Sequence, residues 1–332
     1  MRESLFIKKN LSRWKKYQEE PTDDPDEMAE RFVSLLDDLS YAKTFYSFSK
    51  VTRYINGLAA DIYNRIYKNK KEEVGRFQLF FKYELPLLFR AHHKLLLFTL
   101  VFFLICCLMG AFSAVHDETF VRGVLGDEYV NMTEQNIATG DPFGVYKDGN
   151  ELLMFLRIAF NNIVVSFYCF VYGIFMGIGT LYMLFKNGIM LGVFQQLFFE
   201  HHLGGQSILV IWIHGTLEIS SIIISGCAGL LLAKSFLFPG PEKRLDALIN
   251  GAKDGIKIMV TLIPIFLIAA FLEGFITRHT DMPIWLSILI LLVSLVFIVG
   301  YFIVYPNYLH KKGVRLTDER KVILPSSKSK LA

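Results

Sequence analysis

The chain has 332 residues, 53% of them hydrophobic, with 30 Phe, a positive mean hydropathy and a formal net charge of +4. That composition excludes an ordinary soluble domain in favour of an integral membrane protein, and so modest a charge sum gives no ground for a nucleic-acid partner. Cys106, Cys107, Cys169 and Cys227 all lie in apolar runs, so neither a disulfide framework nor a CxxC metal site is expected.

The first ninety residues are mostly polar and carry no secretory leader pattern, which predicts an N-terminus that stays in the cytoplasm. Residues 1–90 read as a separate helical head. Leu5 to Glu19 is a short basic helix with Trp14. Met28, Phe32, Leu35, Leu36 and Leu39 form an amphipathic stripe opened by Asp24, Pro25, Asp26 and Glu27, and Ile55, Leu58, Ile62 and Ile66 mark another helix. A cytosolic helical hairpin is expected.

Residues 91–305 read as a transmembrane bundle, beginning with the uncharged run Leu95 to Val115. Residues 116–150, with seven acids against Arg122 and Lys147, are expected to be an extracytoplasmic loop. Ile163 to Phe185 is the predicted second span, ending at Lys186 as an inner-face anchor, with Arg157 as an anchor at its other end. Gly173, Gly177 and Gly179 would form a close-packing face on it. The apolar run Gly188 to Phe199 is too short to span, so 188–205 is expected to be a short or broken helix feeding the span 207–233. Glu242 to Lys257 would lie along the inner surface against anionic lipid, followed by spans at Ile258–Ile276 and Ile284–Tyr305 with a tight connection at Arg278–Pro283. Residues 306–332, with seven Lys or Arg against two acids, complete a cytoplasmic tail. The expected fold is an all-α polytopic membrane protein of about six membrane segments with both termini inside. Five spans with termini on opposite sides is the alternative.

The run His214, Gly215, Thr216, Leu217, Glu218 places two ionisable groups on one helical face inside an apolar span, where an unpartnered charge costs several kcal/mol or more. His214, Asn161, Asn162, Ser220 and Ser221 are candidate partners that would make Glu218 a buried brace. His214 and Glu218, joined by His201 or His202, are the weak candidates for a metal site, although no HExxH pattern accompanies them. A titratable intramembrane Glu218 beside a broken helix also suits a transporter, against which stands the absence of an inverted repeat or of facing charges, Glu273 lying near the end of its span. Gly188, Gly192, Gly226 and Gly229, with Ser221, Ser225 and Ala228, read as packing residues, and the glycine faces leave a homodimer open.

Lys186 to Gly192, then His214 to Glu218, then Ile222 to Gly229 resemble the stage II sporulation protein M family. The likeness extends to Phe6 to Lys9 with Trp14, and to Tyr54 to Leu58 with Tyr63 and Tyr67, which are similar to the cytosolic head of that family. The resemblance implies a bacterial inner-membrane protein of an envelope-associated, peptidoglycan-remodelling assembly. Neighbours of AAA-type ATPase and von Willebrand-type domain classes are implied as partners. The long head and acidic loop depart from the founding pattern. The expected function is therefore a non-enzymatic inner-membrane scaffold without cofactor, touching the bilayer and other envelope proteins. The alternative is a transporter or channel subunit using Glu218, and a metal-dependent membrane hydrolase comes third.

Overall fold

A computed structural model describes residues 2–22, 24–68, 75–147, 150–278, 282–316 and 322–323. The Tyr67 side chain, positions 279–281 of the expected tight connection and positions 317–321 and 324–332 of the tail lie outside the described residues. The chain forms two compact units, Met1–Phe77 and Gln78–Ala332.

The first unit contains α1 (Glu3–Glu19), α2 (Pro25–Phe45) and α3 (Lys50–Lys68). Asp24 caps α2 by accepting the Asp26 amide at 3.0 Å, and Pro25 occupies the first turn, where its missing N–H costs nothing. The stripe Met28, Leu35, Leu39 and Ala42 of α2 meets Val51, Ile55, Ala59 and Ile62 of α3, and α1 closes the core with Phe6 and Trp14. The indole Nε1 of fully buried Trp14 donates to Asp38 at 2.7 Å, so its polar edge is satisfied inside an apolar core. The three helices fall where the sequence pattern places them, and the basic first helix packs on the α2–α3 hairpin through Phe6 and Trp14.

The second unit starts at Gln78 rather than near residue 90. After α4 (Arg76–Leu79), a π-helical turn at Phe80–Glu84 leads into α5 (Leu85–Ala91), whose Leu85, Leu88 and Phe89 are buried in the core of this unit. The π turn loosens its carbonyls from the helix ladder, and the hydroxyls of Tyr301 and Tyr305 donate to those of Phe81 and Lys82 at 2.7 and 3.0 Å. The long helices are α6 (His93–His116), then, beyond the cap formed by α7 (Glu118–Leu125) and α8 (Asp127–Ala138), α9 (Glu151–Val171), α10 (Ile178–Glu200), α11 (Gly204–Leu237) and α12 (Arg244–Phe271). A π turn at Leu272–Ile276 extends α12. The last is α13 (Ile284–Val299), continued by a π turn at Gly300–Val304 into α14 (Tyr305–Lys311). A short antiparallel pair, β1 (Arg315–Leu316) with β2 (Val322–Ile323), packs near Leu309 and Leu87. Among the described residues, five helices are long and apolar enough to cross a membrane: His93–His116, Glu151–Ile174, Gly204–Leu237, Arg244–Ile276 and Ile284–Lys311. The fold is an all-α polytopic membrane protein.

Several expected boundaries move. No span runs from Ile163 to Phe185, because the chain turns at Tyr172–Gly177, where Met176 and Gly177 take left-handed φ values of 52° and 83°. Gly177 therefore sits in a turn, not on a helical packing face. The segment 188–205 is neither short nor broken up to Glu200: it is the second half of α10, whose 23 residues give about 34 Å of helix. Lys186, Asn187, Gln195 and Gln196 make that helix less apolar than the other five. Glu242 to Lys257 does not form a surface helix either. It is mostly the first half of α12, held against the bundle by Gly251, beside Ser235, and Gly255, beside Phe170.

The segment expected to be a loop is largely helical over its described residues 116–147 and forms a cap, with positions 148–149 lying outside the described residues. Asp117 accepts the Thr119 amide at 2.8 Å to start α7, and Gly126 at φ 89° turns the chain into α8. Val121 and Val130 bury against Ala114, Ile189, Val193 and Leu197, while Phe143 stacks on Phe198 at 5.4 Å. α11 lies at the centre of the unit, buried almost all round from Ile213 to Ala233, as a helix apolar on every face should be.

Candidate functional site

The cap end of the bundle holds an open cavity of about 1150 Å³. Leu125 and Tyr129 of the cap line it, together with Leu153, Arg157, Asn161 and Asn162 of α9, Phe194 of α10, and Trp212, His214, Gly215 and Glu218 of α11, with Glu273 beyond the end of α12. Glycine at 215 keeps this stretch of wall open, since a Cβ there would touch only Ile211 at 4.0 Å.

His214 and Glu218 share one face of α11 through their i, i+4 spacing. The π turn after Phe271 swings Glu273 to meet them, and one ligand-capable atom from each of the three lies within 4.8 Å of the other two. The His214 Nε2 stands 3.9 Å from Glu273 Oε2. On the other side of the ring, Nδ1 is 3.1 Å from the Thr277 hydroxyl, which donates to the Leu272 carbonyl at 3.1 Å. A hydroxyl that donates there accepts from Nδ1–H, and this places the Nε2 lone pair toward the carboxylates.

The Asn162 side chain lies beside the Glu218 carboxylate, and Asn161 Nδ2 donates to Asn162 Oδ1 at 3.3 Å. Of the two expected asparagines, Asn162 is therefore the one next to Glu218, with Asn161 behind it. Ser221 does not brace it: its buried Oγ has no hydrogen-bond partner among the described residues.

Other expected residues lie elsewhere. His201 hydrogen-bonds the Leu197 carbonyl at 2.8 Å, and His202 occupies a left-handed turn before α11, so neither joins the cluster. Arg157, expected as an interfacial anchor, lines the cavity one turn before Asn161. Gly188 and Gly192 of α10 lie flush on α6, where added Cβ atoms would fall 2.7 Å from Cys106 Cβ and 2.0 Å from the Cys107 carbonyl oxygen. Gly173 abuts the Gly229 carbonyl, Gly229 in turn faces Thr180, and Gly226 faces Leu184. These glycine faces are used within the chain.

Thr277 is a site residue that sequence reading leaves out, and Glu273 is one it sets aside as lying near the end of its span, although the structure brings it to Glu218. Their own i, i+4 spacing at the end of an apolar span is the signal that points to them. Two carboxylates and an imidazole so close together offer oxygen and nitrogen donors that can hold a proton or a cation between them.

The profile of the family described as Stage II sporulation protein M matches residues 99–278, which takes in every residue of the cluster. A second profile, described as a domain of unknown function (DUF8413), matches residues 4–68, within the first compact unit. No curated protein and no solved structure matches the chain. With more than half of its length under the first profile, the chain belongs to the stage II sporulation protein M family.

Proposed function

We propose that the chain is a membrane transport or channel subunit in which Glu218, Glu273 and His214 form the cation-handling site. The observation that carries this reading is the convergence of the three side chains on a cavity of about 1150 Å³ at one end of the bundle. A purely structural brace needs no such space beside it, and sequence reading had found no charged group facing Glu218. Acidic residues placed in membrane interiors next to water-filled volume are how ion pathways are built.

The proposed location is the bacterial inner membrane with both termini cytoplasmic. Supporting this, Arg90, Lys94, Lys234, Lys243 and Arg244 lie toward the helix ends opposite the acidic cap, the side that the positive-inside rule assigns to the cytoplasm. The test is cation flux into proteoliposomes loaded with proton- or zinc-sensitive dye. Glu218→Gln and Glu273→Gln should each lower flux about tenfold or more, while His201→Ala should leave it unchanged. Flux equal to that of the unaltered chain in both glutamine variants contradicts the reading.

The second reading is the non-enzymatic scaffold, favoured by the compact three-helix unit Met1–Phe77 with a core of its own. Its partners would be envelope proteins of the AAA-type ATPase or von Willebrand-type domain classes. Under this reading, removal of residues 1–77 abolishes co-purification with such an ATPase and Glu218→Gln does not.

A further inference from the structure

We infer that His214, Glu218 and Glu273 form a binding site for a divalent first-row transition-metal ion of the zinc or manganese class. This deepens the proposed function by naming the cation, and it rests on the reading of the cluster as the working site.

Five features argue for it. One imidazole nitrogen and two carboxylates are a mixed donor set that suits zinc or manganese rather than calcium or magnesium, which take oxygen ligands. Metal–ligand bonds of about 2.1 Å allow up to about 4.2 Å between two ligands of one ion. The 3.9 Å between His214 Nε2 and Glu273 Oε2 falls within that reach, and it is too long for a hydrogen bond. All three ligand atoms lie within 4.8 Å of one another, so side-chain shifts of about 1 Å bring the set within reach of one ion.

The outer partners are also those of a metal site. Thr277 fixes His214 through Nδ1 and so presents Nε2, and Asn162, whose side-chain oxygen accepts from Asn161, lies beside the Glu218 carboxylate. The charge closes as well: a divalent ion with two carboxylates and a neutral imidazole is a neutral unit, the least costly form in a low-dielectric span. Finally, three protein ligands leave positions free on the side of the cavity, so an ion can enter and exchange there.

The test is equilibrium dialysis of the purified full-length chain in detergent against zinc, manganese or magnesium, with bound metal counted by plasma mass spectrometry. One zinc or manganese per chain is expected, with magnesium unbound at the same concentration. Glu218→Gln, Glu273→Gln and His214→Ala should each weaken affinity about tenfold or more. So should Thr277→Val, which keeps all three ligands and removes only the hydroxyl behind the imidazole. His201→Ala with His202→Ala should bind as the unaltered chain does.

Absence of uptake by the folded chain, or uptake at full affinity in Glu273→Gln and Thr277→Val, overturns the inference. The outcomes separate it from the proposed function. Flux that depends on Glu218 without zinc or manganese binding sinks the metal site and leaves the transport reading standing. Stoichiometric metal without flux supports the site and sinks transport.

Discussion

Gly173 and Gly229 meet backbone to backbone, and a Cβ built on Gly173 would lie 2.0 Å from the Gly229 carbonyl oxygen. No flexible atom stands there to give way, so Gly173→Ala must push the α9 end away from α11 at a cost of about 1–3 kcal/mol. Gly205, at the exposed start of α11, has nothing within 4 Å. In detergent, Gly173→Ala should lower the unfolding midpoint and Gly205→Ala should leave it within error; equal shifts would contradict the packing described. Glu27 of the first unit accepts from the Thr22 hydroxyl and pairs with Arg31, and these contacts hold its carboxyl below the ordinary range. A carboxyl with a depressed folded-state pKa adds stability above its unfolded pKa and loses it as pH falls through the folded value. Melts of residues 1–77, which have their own core, should therefore show stability dropping below about pH 4.5, less steeply in Glu27→Gln. The same acid slope in both would remove Glu27 from that role.

The apolar spans at 95–115 and 284–305 were legible because no charged residue interrupts them. The turn between α9 and α10 was not. Gly173 and Gly177 carry the spacing of a helical packing face, and only the left-handed φ values of Met176 and Gly177 show the chain reversing there. The start of α12 misled in the opposite way: the basic, amphipathic stretch 244–257 reads as a surface helix, but Gly251 and Gly255 let it pack on α11 and α9, and no breaker separates it from the span. Helix order still fixes a prediction. In a chain freed of native cysteines, Gln206→Cys should react with an impermeant thiol reagent added from outside the cell, and Phe175→Cys only after permeabilisation. The reverse pattern would invert the proposed orientation.

Across the whole molecule, the half of the site on α11 was legible, because two ionisable groups in one apolar run stand out in any sequence. The half on α12 was hidden. Glu273 belongs to the cluster only because α11 extends past the end of α12 toward the cap and a π turn redirects the last residues of that helix, neither of which local pattern encodes. Both functional proposals depend on this convergence. Its most direct test uses the full-length chain with Cys106, Cys107, Cys169 and Cys227 replaced and Glu218→Cys combined with Glu273→Cys. The chain is treated with a short bifunctional thiosulfonate and then cleaved by trypsin at Lys243, in the link between α11 and α12, and at Arg244, the first residue of α12. The account predicts that the two halves stay joined until reductant is added. Separation of the halves with both thiols modified would contradict it.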